Sequence, residues 1–141
     1  MKKLFSTAMI VISMFVLIGC GTVKKGVHTE GVPDVISSIS FNKDTNLTVI
    51  ANRNEIEDKV EFAKLLVKMC QENSFKSIRF STDSGYATSL NMSVYCWQDD
   101  IGEKDSVMKV EFRPAELNWD YDIVNHSEKF ELYVDGTLIE E

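Results

Sequence analysis

The amino-acid sequence predicts an α+β fold, in which an antiparallel β-sheet of about four to six strands carries one long amphipathic helix packed on one face. Several short segments have an apolar residue at every second position, which is the period of a half-buried strand. A single segment has apolar residues at helical spacing. One helix among many strands predicts a sheet that the helix covers on one side.

The first two strands are expected to form a β-hairpin. Apolar residues alternate over residues 34–41, and residues 47–51 are again rich in β-branched side chains. The polar cluster between them, residues 42–46, is typical of a turn.

The helix is expected over residues 55–72. Asn54 can cap its free amides, and Glu57 three residues later completes a pattern that resembles a capping box. One face then carries an apolar stripe of five residues: Ile56, Val60, Ala63, Val67 and Cys70. The eighteen residues would span roughly 27 Å, enough to cross the face of a sheet.

Four more strands are expected after the helix, in a meander at residues 76–82, 89–98, 106–113 and 128–134. Their longest connection is the polar segment 114–127. Asp135 and Gly136 follow the last strand and predict a turn.

The first twenty residues have the three parts of an export signal. Lys2 and Lys3 precede a mostly apolar run at residues 4–18, and small residues mark its end. The run closes with Leu17-Ile18-Gly19-Cys20, which resembles the lipobox of bacterial lipoproteins position by position. The resemblance implies that the Cys20 thiol receives a diacylglyceryl group, and that cleavage leaves Cys20 as the first residue of the mature chain.

A simple membrane-spanning helix is the alternative interpretation of this run. Such a helix needs roughly twenty apolar residues, whereas the run here has about fifteen positions and includes three hydroxyl side chains. We therefore expect residues 1–19 to be a signal peptide and the lipid on Cys20 to hold the protein on a membrane. The location would be the outward face of the cell membrane in a Gram-positive bacterium, or the periplasm and outer membrane in a Gram-negative one.

The segment after the signal peptide, residues 20–33, is polar and rich in glycine. It is expected to be a flexible tether. His28 lies in this segment, and we expect it to be solvated and without a partner. Residues 34–141 then form a single small domain, which is large enough for one core.

The charge of the chain excludes some classes of partner. Beyond the signal peptide, 13 Lys and Arg stand against 22 Asp and Glu, a net charge of −9. Nucleic acids and anionic lipid surfaces need clustered cations. No nucleic-acid partner is therefore expected, and the acidity suits a soluble domain beside a membrane.

Enzymatic chemistry has little support in the sequence. It contains no Gly-x-Ser-x-Gly elbow, no His-Glu-x-x-His and no phosphate-binding loop. The acidic stretch 118–122 alternates oxygen ligands but lacks the Gly and the distal Glu of a calcium loop. We expect no catalytic residue, no metal and no cofactor.

Cys70 and Cys96 lie on the predicted core faces of the helix and of a strand. A disulfide between them would be compatible with an exported domain and would contribute about 3 kcal/mol. The alternative is a pair of buried free thiols, which are common in cores.

The face of the sheet opposite the helix is the candidate for partner binding. Exposed aromatic and arginine side chains are typical of protein interfaces, and four such residues are predicted there: Arg79, Tyr95, Trp97 and Tyr133. Cross-strand pairing of the aromatic residues, or cover by residues 114–127, would explain the same pattern without a partner.

The sequence therefore favours a lipid-anchored envelope protein that is not an enzyme and that binds another envelope protein through its open sheet face or through the loop at residues 114–127. An inhibitor, an immunity protein or a part of a surface machinery would fit. A structural envelope component is the alternative, and a small envelope hydrolase is a weaker one.

Overall fold

A computed structural model describes residues 27–141, so Cys20 and the proposed signal peptide lie outside the described residues. One six-stranded sheet has its strands side by side in chain order. The strands are β1 (Asp34–Phe41), β2 (Asp44–Ile50), β3 (Ser89–Tyr95), β4 (Met108–Pro114), β5 (Phe130–Val134) and β6 (Thr137–Leu138). The helix α1 (Lys59–Glu72) lies between β2 and β3 in the chain. The α+β class is confirmed, and in this part of the chain no helix is long and apolar enough to cross a membrane.

The sheet is mostly antiparallel, with one parallel pair. β2 and β3 run in the same direction, from Asp44 beside Ser89 to Ile50 beside Tyr95. The helix and the segment after it return the chain to the end of the sheet where β2 began, and a parallel pair needs a long crossover of this kind. The prediction of a fully antiparallel sheet is therefore wrong at this one pair.

The helix is shorter than predicted, with 14 residues. Asp58 caps it by accepting the Glu61 amide at 3.0 Å, and Asn73 ends it in the left-handed conformation. The expected cap, Asn54, instead accepts a hydrogen bond from the Trp97 indole at 3.2 Å. The expected long helix is thus wrong by one turn, because Trp97 holds the Asn54 side chain and Asp58 caps the helix in its place.

Residues 76–82 do not form the predicted strand, because side chains bond their backbone groups. The Asp34 carboxylate accepts the Ser77 amide at 3.1 Å and the Ser77 hydroxyl at 2.5 Å. The Asn73 side chain accepts the amide of Phe80 and donates to its carbonyl. Ile78 and Phe80 still pack against the core.

The hydrogen bonds to the buried Asp34 favour the charged form of its carboxyl. Burial alone would raise the pKa of its carboxyl, but hydrogen bonds from the Ser77 hydroxyl and from nearby amides outweigh burial and hold that pKa below its usual value.

The core lies between the helix and one face of the sheet. Leu66 and Ala63 of the helix are completely buried. They belong to one apolar cluster with alternate residues of the central strands, among them Val49, Leu90, Val94, Met108 and Val110. The intervening residues of these strands are exposed or half-buried on the opposite face. The helix therefore packs on one side of the sheet, as predicted.

Two tight turns connect the outer hairpins. Asn42 and Lys43 join β1 to β2, and Asp135 and Gly136 join β5 to β6. All four residues have positive φ angles, as expected for two-residue hairpin loops. Turns were predicted at both places, but the first is shorter than the predicted 42–46, because residues 44–46 belong to β2. The short β6 was not predicted.

Candidate functional site

The two ends of the sheet differ in what they carry. Residues 27–33 lead into the start of β1, which has eight residues and spans roughly 26 Å. The far end of β1 meets three connections: the Asn42-Lys43 turn, the segment before β3, and the β4–β5 connection. We call this the distal end, because it lies opposite the point where the N-terminal segment enters the domain.

The β4–β5 connection forms a fixed loop at the distal end, here called the distal loop (residues 115–126). Ile123 anchors it and is 3% exposed. The Ile123 amide donates to the Ala87 carbonyl at 2.9 Å, and its own carbonyl accepts the Gln71 side chain at 2.8 Å. The loop is therefore attached both to the helix and to the segment that precedes β3.

Asp122 fixes the second half of the distal loop. Its Oδ1 accepts the amides of Val124 at 2.9 Å and Asn125 at 2.7 Å. Burial would raise the pKa of the Asp122 carboxyl, but these bonds, the Asn125 side chain and the nearby His126 outweigh burial and hold that pKa below its usual value. A carboxylate that accepts several amides in this way keeps the loop in one conformation.

The tip of the distal loop exposes two large apolar side chains. Leu117 is 79% exposed and Trp119 is 69% exposed. Glu116 and Asp120, both exposed, flank them in the chain. The Asn118 side chain between them accepts the Asp120 amide at 2.9 Å. An ordered loop thus presents an aromatic and an aliphatic side chain to solvent, with acidic residues beside them.

A cleft of about 380 Å³ opens beside the distal loop, between β1 and the C-terminal half of α1. Its floor is apolar and includes Ile78, Phe80 and Leu90. Its rim carries two cations, Lys43 and Arg79, together with several hydroxyl groups. None of the described residues that line it is Asp or Glu, although the chain has 22 of them.

Acidic side chains gather elsewhere, around a wider depression of about 620 Å³ at the start of the helix. Arg53 is its one cation among the described residues, beside five carboxylates: Glu30, Glu55, Glu57, Asp58 and Glu61. The two depressions therefore have opposite electrostatic character.

The residues predicted for partner binding do not share one surface. Arg79 is exposed, but at the rim of the cleft and not on the sheet. Tyr95 and Tyr133 lie on the open face as half-buried side chains. The Tyr133 hydroxyl donates to Glu131 at 2.7 Å, and the Arg113 guanidinium lies 4.3 Å from its ring centroid. Tyr133 is thus paired with its own sheet.

Trp97 is buried, with 7% of its surface exposed, so the prediction that it lies on the open face is wrong. The strand ends at Tyr95, and the Trp97 amide donates to the Asp100 carboxylate at 3.2 Å, which turns the chain away from the sheet. With Trp97 covered by its own chain, binding through the open sheet face loses its main support.

The residue that covers Trp97 is His28, from the segment expected to be a flexible tether. The two rings stack with centroids 4.3 Å apart and planes inclined by 5°. The His28 Nε2 lies 2.8 Å from an Asp99 oxygen, and the Asn52 side chain donates to the Val32 carbonyl at 2.8 Å. The expectation of a partnerless His28 is therefore wrong, and residues 28–32 are docked on the domain. Residues 20–26 lie outside the described part.

Cys70 and Cys96 are both free thiols. Cys70 is buried at the wall of the cleft, and burial raises its pKa to about 12. The Cys96 thiol donates to the Asn54 carbonyl at 3.5 Å. A thiol with such a high pKa is a poor nucleophile.

Across residues 27–141 no group of three or more His, Cys, Asp or Glu side chains is placed to hold a metal ion. His126 is the histidine of the distal loop, and its Nδ1 accepts the Asp122 amide at 3.4 Å. This contact belongs to the internal bonding of the loop.

The sequence did not reveal the cleft, although one signal for it is present. Residues 74–82 contain Lys76 and Arg79 and no acidic residue, although other stretches of the chain, such as residues 62–71, share this pattern. The other cation, Lys43, lies far away in the chain. The tertiary fold is what brings it to the same rim.

The fold and its surfaces define a small α+β domain in which a helix covers one face of the sheet. Comparison of the chain with protein-family models, with curated proteins and with solved structures gives no significant match. The function must therefore be argued from the residues themselves.

Proposed function

We propose that the protein is a lipid-anchored binding module of the cell envelope, which holds another envelope protein through its distal loop. The observation that carries the proposal is the loop tip, where Leu117 and Trp119 stand exposed on an ordered backbone. Tryptophan is among the residues most enriched where truncation costs the most binding energy.

The order of the loop matters for affinity as much as its composition. The anchors at Ile123 and Asp122 already hold the backbone, so little conformational entropy is lost when a partner binds. A mobile loop with the same residues would bind more weakly. An ordered loop that leaves two large apolar side chains in water is better explained by a partner than by stability.

The flanking charges indicate the chemistry of the partner. Glu116 and Asp120 lie on either side of the two apolar side chains. The surface that fits them is an apolar pocket with Lys or Arg at its rim. The partner is therefore an envelope protein with such a basic-rimmed pocket.

The distal loop lies where a lipid-anchored protein would present a binding surface. If the Cys20 lipid holds the chain at a membrane, residues 27–33 enter the domain on the membrane side. The distal loop lies at the other end of a strand of roughly 26 Å. The loop tip would then point away from the bilayer, where a second envelope protein can reach it.

The test is co-purification from crosslinked native membranes with the tagged full-length protein. The test variant is Leu117→Ser/Trp119→Ser. The matched control is Ile39→Ser/Phe41→Ser, which removes two side chains of similar exposure, 68% and 76%, from the open sheet face.

Loss of one basic-surfaced partner in the loop variant, with the partner retained in the control, supports the proposal. If the partner is lost only from the control variant, the binding site is on the sheet face, and the claim that the distal loop binds the partner is refuted. If wild type and both variants capture no specific protein, the structural-component alternative replaces the binding module.

A further inference from the structure

The cleft between β1 and α1 has a local charge opposite to that of the chain. Its rim carries Lys43 and Arg79, and none of the described residues that line it is acidic. Cations grouped without carboxylates in an acidic domain focus a positive potential at one place. This concave surface therefore favours anions, although the domain as a whole is acidic.

Both cations are available to a ligand. Within residues 27–141 neither of them forms an ion pair with a carboxylate. One Arg79 nitrogen donates to the Ile78 carbonyl at 3.2 Å, which leaves further N–H groups of the same guanidinium free to donate. Each side chain can thus supply charge-assisted hydrogen bonds to an anion bound in the cleft.

The backbone conformation that holds Lys43 at the rim is unfavourable for a residue with a side chain. Lys43 has a φ of 68°, in the left-handed region that favours glycine. Its ammonium lies beside Gly85, where an added Cβ would be 3.3 Å from the Lys43 nitrogen. A turn of the Asn-Gly type would be less strained here, and strained positions of this kind cluster at functional sites.

The floor of the cleft complements an apolar group. Ile78, Phe80, Leu90 and Ile123 line it, and Leu90 and Ile123 belong to the buried core. Hydroxyl groups, among them those of Ser38 and Ser84, also line the cleft. A ligand would therefore meet apolar surface on the floor and polar donors near the rim.

We infer that this cleft binds a small organic anion, a molecule with an apolar body and a single carboxylate or phosphate group. The volume of about 380 Å³ is within the range of small-molecule sites. Two cations suit one anionic group, whereas a polyanion such as a nucleic acid needs many phosphate contacts. The site shares Ile123 with the distal loop but includes no residue of the loop tip, and it does not depend on the proposed protein partner.

The experiment is equilibrium dialysis of the full-length chain in nanodiscs of zwitterionic lipid, with empty nanodiscs as the blank. Phenylacetate and phenyl phosphate are the two anionic probes, and they distinguish a carboxylate from a phosphate ligand. 2-Phenylethylamine and benzyl alcohol carry the same ring with a positive charge or with none. Inorganic phosphate tests the anion without an apolar body.

The variant Lys43→Glu/Arg79→Glu reverses both charges at the rim. The matched control, Lys64→Glu/Lys129→Glu, makes the same change of net charge at two exposed positions outside the cleft. All four positions are on the surface, so the fold is expected to persist, and circular dichroism checks this for each variant.

A second measurement locates the probe in the cleft. Ile78 and Ile123 line the cleft and Ile39 does not. In NMR spectra of the chain with labelled isoleucine methyl groups, the signals of Ile78 and Ile123 should shift when a probe is bound, and that of Ile39 should stay the same. This readout needs no substitution.

Saturable binding of one anionic probe supports the inference if it weakens about tenfold or more in the cleft variant, changes little in the control, and shifts the methyl signals of Ile78 and Ile123. Equal binding of 2-phenylethylamine, or an equal loss in the control variant, would overturn it. If inorganic phosphate binds as tightly as phenyl phosphate, the claim that the ligand has an apolar body is refuted. If no probe shows saturable binding at millimolar concentration, the claim that the cleft is a binding site is refuted.

Discussion

Removal of the Asp34 carboxylate tests how residues 76–82, which form one wall of the cleft, are held in place. Asp34 is 8% exposed. Its oxygens accept the Val35 amide at 3.0 Å, the Ser77 amide at 3.1 Å and the Ser77 hydroxyl at 2.5 Å. This one side chain thus replaces the backbone partners that a strand would have provided.

The size of the effect follows from the groups left without a partner. Asp34→Ala leaves two amides without an acceptor. That of Val35 is buried and costs about 1–3 kcal/mol, whereas that of the exposed Ser77 can turn to water and costs less. We expect the free energy of unfolding to fall by about 1–4 kcal/mol. Asp34→Asn keeps one acceptor oxygen and nearly the same volume, so about half of that loss is expected. Ser77→Ala removes one hydrogen bond to a charged group and should cost about 1–2 kcal/mol.

Urea unfolding of the full-length chain, followed by far-UV circular dichroism, measures these differences. The midpoint should move while the slope with denaturant stays constant, because the surface exposed on unfolding does not change. A cost below about 0.5 kcal/mol for Asp34→Ala, the range of ordinary surface substitutions, would refute the reasoning. Equal costs for the Ala and Asn variants would also contradict it.

The pH dependence gives an independent check. The pKa of Asp34 is lowered in the folded chain, so its stabilising contribution is complete above the ordinary Asp pKa of about 3.9. It is lost as the pH falls through the lowered pKa. The stability difference between wild type and Asp34→Asn should therefore narrow on acidification.

Three further predictions concern the core, the docked N-terminal segment and the anchor. Leu66→Ala should lower the free energy of unfolding in urea by about 3–5 kcal/mol, because Leu66 is completely buried. The adjacent Leu65 is 39% exposed, so an equal loss for Leu65→Ala would contradict the assigned helix face. His28→Ala should expose the Trp97 ring and increase the quenching of its fluorescence by iodide. A hydrogen bond from His28 holds the pKa of the Asp99 carboxyl below its usual value, so the contact between His28 and Asp99 should weaken at acidic pH, where that carboxylate is protonated. Unchanged quenching would refute the stack. Cys20→Ala should abolish fatty-acid labelling and processing, and secretion of a processed, soluble Cys20→Ala protein would refute the lipobox.

Local patterns in the sequence were enough to predict the fold class. The alternation of apolar residues and the single helical stripe are properties of neighbouring residues, so strands and helix were found. The start of the helix was missed because both Asn54 and Asp58 can cap, and the Trp97 indole takes the first of them. That choice depends on a tertiary contact 43 residues away.

Long-range contacts explain the other errors. The alternation in residues 76–82 predicted a strand, but Asp34 and Asn73 bond this backbone from other elements. The alternation of apolar residues that begins at Ser89 runs on to Trp97, but the strand ends at Tyr95 and the chain turns there. The parallel pair and the cleft depend on where the crossover returns, and no local pattern encodes this. The distal loop was recognised as a candidate, but the exposure of its tip could not be read from composition.

The most direct test of the distal loop is photo-crosslinking in intact cells. A photoreactive amino acid replaces Trp119 in one strain and Tyr95, on the open sheet face, in another. Our account predicts one crosslinked envelope protein from position 119 and none from position 95, with the product lost when Leu117→Ser is added. The same product from position 95, or no product from position 119, would contradict it.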